Sequence, residues 1–166
     1  ENAELRKKVG EVFYSEIPTI YNDTVFKTDT IVIDTTRRLS FIAAKVISNT
    51  INKQFNIVFI DKGKSNNIEK DMGVINADGV VGVVRNVSSQ YATITPLINQ
   101  DLNVSAKIKN SGYFGNLTWN GKDPKYSQLY DIPNHINPKL GDTVVTSGFS
   151  NVFDEGQIIG FIDEVY

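Results

Sequence analysis

From Thr24 onward apolar residues recur at every second position, and that period constrains the fold more than any other feature of the chain. The stretch VSAKIKN sets Val104, Ala106 and Ile108 on one face and Ser105, Lys107 and Lys109 on the other, as a strand with one buried side requires. TIVIDT, FIAAKVIS, NIVFID, GVVGVVRNV, YATITPLI, NLTW, DTVVTS and IIGFIDEV are runs of the same kind. Between them fall NADG at residues 76–79, NSG at 110–112 and NG at 120–121, which supply the positive φ of tight turns. Many short strands with no helix between them predict an all-β fold, in barrels or a sandwich, because closure removes edges that would pair with other molecules.

The strand density predicts two small β-barrels rather than one large one. Residues 72–135 form a continuous series of hairpins, enough for a second barrel inserted into a first one built from residues 24–71 plus 136–166. A sequential division near Asn99 is the competing arrangement.

Only the start of the chain has a helical period. Asn2 and Val9 at a positions with Leu5 and Val12 at d positions give the spacing of a coiled-coil seam, within a helix predicted over residues 1–17 that Pro18 stops. An Asn at an a position favours a parallel dimer in register. Gly10 weakens the helix, and an amphipathic cap lying on the domain would show the same short pattern. The chain opens without Met, so it is expected to be part of a longer protein.

An apolar share of 40% allows a real core. A net charge of -2, with acids and bases interspersed, provides no basic field, so nucleic acid is not an expected partner. Cysteine is absent, which removes disulfides, thiolate catalysis and Cys-ligated metal. No apolar run approaches the roughly 20 residues of a membrane span.

Catalytic chemistry finds little support. In GDTVVTSG, Ser147 follows an Asp, but a serine nucleophile needs a His base oriented by an acid. The only histidine, His135, lies so close in sequence that a cleft between two barrels would not draw both groups from it, and Ser147 lacks the surroundings of a nucleophile elbow. Ser147 is therefore expected to be a turn residue, and no catalytic, metal or cofactor site is predicted. One histidine without a second His or a Cys does not make a zinc site. Asp71, Asp78, Asp142, Asp154 and Glu155 all fall in or near turns, where solvated carboxylates are ordinary.

Apolar side chains beside turns are left as candidates. Phe149, Val152 and Phe153 follow the Ser-Gly pair, and Tyr113 and Phe114 follow NSG. Such residues either plug a barrel or make contacts with a partner or a second copy, and exposure of several together would mark an interface.

Three motifs carry a family resemblance. AKVISN, then IVFIDKGKSNNIEKDMGVINADGVVGVV, then GDTVVTSGFSNVFDEGQIIG resemble in order and spacing the periplasmic region of the bacterial rod-shape-determining MreC family. One departure is Asp154, where that family commonly has proline. The resemblance implies two barrels of chymotrypsin-like architecture without a catalytic triad, following a coiled coil. It also implies the periplasmic region of a single-pass inner-membrane protein whose span lies upstream. The implied role is a non-catalytic scaffold of cell elongation, forming homodimers or filaments. Its implied partners are a class B penicillin-binding transpeptidase, and MreD and MreB through upstream segments. A cell-wall hydrolase or saccharide-binding module is the alternative.

Isolated helices shorter than about 12 residues are marginal in water, so the seam alone should not hold two chains together. The 166-residue chain is expected to sediment as a monomer at low micromolar concentration. A tight dimer that survives removal of residues 1–12 would place the contact in the β region instead.

Overall fold

The computed structural model describes residues 41–133 and 136–165. The predicted helix, with Asn2, Leu5, Val9 and Val12, lies outside the described residues, as do TIVIDT and His135. A compact unit begins at Ala44. It contains ten strands: β1 (Val46–Asn49), β2 (Val58–Ile60), β3 (Gly73–Ile75), β4 (Val80–Val87), β5 (Ala92–Pro96), β6 (Val104–Ile108), β7 (Phe114–Thr118), β8 (Gln128–Tyr130), β9 (Thr143–Thr146) and β10 (Ile158–Phe161). Among the described residues there is no α-helix, only a 3-10 turn at Lys64–Asn66. The predicted all-β class holds for this region.

The strands form two five-stranded antiparallel sheets, in the orders β1-β2-β5-β4-β3 and β10-β9-β6-β7-β8. Each order is linear, so each sheet keeps two edges among the described strands. The pairing departs from the inserted arrangement, in which residues 72–135 would form a barrel of their own. β3, β4 and β5 join β2, while β9 and β10 join β6, so the sheets divide the chain sequentially near Asn99. Burial accounts for this register. Val58 faces Ile94 and Ile60 faces Ala92 across β2 and β5, and all four side chains are buried, so β5 completes the core face of β2.

β4 holds the two halves together. Its sequence VVGVVRNV starts as a near-continuous apolar run, which reads as a strand buried on both faces. Val84 packs into one cluster with Val58, Ile60, Ile68, Ala92 and Ile94, all of which precede the division near Asn99. Val80 and Val83 enter the other cluster, against Leu102, Val104, Ala106, Leu117, Val144 and Phe153. Fully burying a side chain of this size stabilises by about 1.5–3 kcal/mol, so β4 contributes to both cores at once. On β6 the predicted alternation is exact in outcome: Val104, Ala106 and Ile108 are buried while Ser105 and Lys107 are only partly so.

The connector between the sheets is held by amides. Asn56 is wholly buried; its Nδ2 donates to the carbonyls of Lys53 (2.8 Å) and Ile98 (2.7 Å), and its Oδ1 accepts from the Lys53 amide at 3.0 Å. Asn99 Nδ2 in turn donates to the Asn56 carbonyl at 2.7 Å. These bonds tie the β1–β2 connection, at Lys53 and Asn56, to the turn after β5, at Ile98 and Asn99, and satisfy backbone groups on both sides.

Asn56→Ala removes three of those bonds and leaves the Ile98 carbonyl without its partner. A loss of about 2–3 kcal/mol in unfolding free energy is expected by denaturant titration, in the range for orphaned buried polar groups. A cost below about 0.5 kcal/mol would show that the connector is not held this way.

Candidate functional site

The stretch that joins β9 to β10, residues 147–157, is closed at its base by hydroxyl groups. Thr146 Oγ1 donates to the Asp154 carbonyl at 2.5 Å and accepts from the Gln157 amide at 2.9 Å. Thr146 also pairs its backbone with Gln157 and Gly156. Asp154, the departure from the expected proline, contributes its carbonyl oxygen here, an atom that proline also carries. Ser147 is buried, and its Oγ donates to Ser105 Oγ at 2.8 Å and accepts from the Phe149 amide at 3.2 Å. The hydroxyl therefore shapes the turn, as the sequence suggested, but from inside the structure rather than from a solvated corner. Gly148 follows with φ +80, and a Cβ there would lie 2.8 Å from Glu155 Cβ, so both the backbone and the space require glycine.

This geometry separates the two phenylalanines of the loop. Phe149 is 70% exposed, whereas Phe153 is 7% exposed within the core shared by the two sheets, and Val152 packs partly buried against that core. Phe153 is thus corrected from candidate contact residue to plug: the chain turns inward after Ser150 and its ring fills space between the sheets. Val152 goes inward with it.

Phe149 instead meets Phe114. Their ring centroids are 4.3 Å apart, with the planes inclined by 38°. Phe114 lies opposite Lys107 across β6 and β7, on the face that Val104, Ala106 and Ile108 do not use. Lys107 Nζ lies 6.0 Å from the Phe114 centroid and pairs with Glu155 of the loop. A cation at that distance is at the limit of attraction to the ring face. Tyr113 and Phe114 are both exposed, as is Tyr130, which shares this face because it stands opposite Asn116. Sequence reasoning missed Tyr130. Its strand has three residues, too few for alternation to be visible, and Asp131 after it takes a positive φ of 65 that no Gly or Asn announces.

A second apolar surface was also missed. On the outer side of the first sheet a shallow groove of about 290 Å³ is lined by Phe59, Asn86, Val87, Tyr91 and Thr93. Among the described residues no group of three or more His, Asp or Glu side chains is placed to hold a metal.

Fold and surface together define a class: a two-sheet all-β module that presents aromatic side chains outward from a rigid framework. Within that class, the chain belongs to the MreC family of rod shape-determining proteins, whose barrel-core model matches residues 46–166. It is 30% identical over 171 residues to the cell shape-determining protein MreC of Listeria monocytogenes, covering 99% of this chain and 58% of that protein's length. The chain thus spans little more than half of that relative. A solved MreC structure from Listeria monocytogenes superposes with a TM-score of 0.67 at 34% identity, over 73% of this chain and 59% of that one. MreC of Helicobacter pylori, solved in complex with a penicillin-binding protein, has a TM-score of 0.54 at 16% identity, over 65% and 67% of the respective chains.

The plug and the exposed ring should separate in stability measurements. Phe153→Ser is expected to cost about 4 kcal/mol, as large-to-small core changes do, while Phe149→Ser should cost about 1 kcal/mol or less, the value of an aromatic pair. Chemical denaturation of the two variants compares them directly, and equal losses would contradict the assignment.

Proposed function

We propose that this chain is a non-catalytic scaffold module of the cell-elongation machinery, and that it holds a class B penicillin-binding transpeptidase through the aromatic face of its second sheet. The observation that carries this reading is the exposed Phe114–Phe149 pair on a face that Tyr130 shares. Aromatic side chains held on a framework lose little entropy on docking and are favoured anchors of protein interfaces. Two findings on relatives support it: the Listeria relative is a cell shape-determining protein, and the Helicobacter MreC forms a complex with a penicillin-binding protein. In mechanism, the scaffold raises the population of an active transpeptidase by binding that conformation more tightly than the inactive one.

Residues 1–17, with the seam Asn2, Leu5, Val9 and Val12, would end a coiled coil that dimerises the protein and holds the two-sheet region on the periplasmic side of the inner membrane. MreD and MreB would be reached through sequence upstream of the seam. Against the hydrolase alternative stands Ser147, whose hydroxyl is committed to Ser105 and to the Phe149 amide rather than directed at solvent.

Replacing Phe114 and Phe149 together with Ser should weaken binding of the soluble domain of the cognate transpeptidase by about 2 kcal/mol or more, roughly thirtyfold in Kd. Calorimetric titration measures the affinity, and thermal unfolding of the same protein should show it folded. Unchanged affinity in the folded double variant would remove the aromatic face from the interface.

A further inference from the structure

We infer that Gly73, on β3 of the first sheet, is the positioning residue for the aromatic docking face of the second. This inference rests on the docking role proposed above but concerns a residue that does not belong to that face. A Cβ at position 73 would lie 2.5 Å from the Val152 carbonyl oxygen and 2.7 Å from both Cδ1 and Cε1 of Phe153. The φ of Gly73 is not in the left-handed range, so nothing in the backbone demands glycine there. Only space does, and the space is taken by the loop that carries Phe149.

The mechanical path is short. Phe153 is anchored in the shared core, next to Val83, which faces Gly73 across β3 and β4. Four residues earlier in the same loop, Phe149 stacks on Phe114. The base of the loop is closed by Thr146 and Ser147, so a push on Val152 and Phe153 is not absorbed by opening of that base and passes toward Phe149. A recess of about 60 Å³, bounded by Val83, Val104, Ser105, Ser150 and Val152, lies beside Phe153. The Phe153 ring can shift into that recess, which keeps the fold, but the 2.5 Å contact with the Val152 carbonyl oxygen is to backbone and is relieved only by movement of the loop. Through this contact the first sheet sets the height and tilt of an aromatic pair that it does not touch.

Gly73→Ala tests the inference in the whole 166-residue chain, with two readouts. Without any partner, the nuclear Overhauser contacts between the Phe114 and Phe149 rings should be lost or strongly reduced. With the soluble domain of the cognate transpeptidase, affinity should fall at least tenfold. Ile94→Val, which trims the first sheet's own core away from the loop, should reduce stability and change neither readout. If Gly73→Ala does not fold, Phe153→Leu provides the second variant: it withdraws the ring edge from Gly73, keeps an apolar plug, and should loosen the same ring pair. Retention of the ring contacts in a folded variant of either kind overturns the inference, as does wild-type affinity in such a variant where Phe149→Ser itself binds weakly. Loss of affinity of the same size in Ile94→Val overturns it too, by reducing the effect to general instability. Phe149→Ser keeps the two proposals apart: if it binds normally, the docking role fails, while the partner-free ring contacts still decide the part played by Gly73.

Discussion

The packing of β4 on both of its faces is the constraint on which the rest of the structure depends. Val84 lies in the core of the first sheet, and Val80 and Val83 lie in the core shared with the second. A single strand therefore acts as the wall between two small hydrophobic clusters, neither of which is large. Small cores bury a low fraction of their chain's surface and are marginal alone, so sharing a wall lets each half draw on the other's burial. Gly82 on the same strand serves close approach: a Cβ there would lie 2.2 Å from the Thr95 carbonyl oxygen, which leaves no room for a side chain between β4 and β5.

The surface follows from that arrangement. Because the apolar sides of β6 and β7 turn toward β4, the opposite sides, with Lys107, Phe114, Asn116 and their neighbour Tyr130, face outward. The loop between β9 and β10 then links inside and outside within five residues, burying Phe153 and exposing Phe149. Hydroxyl groups rather than apolar contacts hold its base, which suits a segment that must keep one aromatic ring dry and another wet. Serine and threonine at positions 105, 146 and 147 supply those bonds at little cost in volume.

The match to the MreC family is carried by the barrel core, residues 46–166, while the docking role proposed for this chain rests on a few side chains that this core presents outward. Aromatic rings are effective in that role because most of their contact area is already fixed in orientation before a partner arrives.

The sequence by itself determined the all-β class, the positions of most strands and turns, and the family, because each of these rests on local information. Alternation on β6 is visible in VSAKIKN, and the turns at residues 76–79 and 110–112 are marked by their own Asn and Gly residues. Two short elements escaped: β3 and β8 have three residues each and, unlike the equally short β2 within NIVFID, lie in no continuous apolar run that marks them. Tertiary structure alone decided which strands pair, since the choice between an inserted and a sequential arrangement depends on contacts between distant residues such as Val58 and Ile94. It alone decided, too, that Phe149 faces solvent while Phe153 is a plug. The two residues are chemically identical and four positions apart, and what separates them is packing against distant residues: Phe153 enters the cluster of Val83, Val104 and Val144, beside the space that Gly73 leaves open, while Phe149 stays outside it.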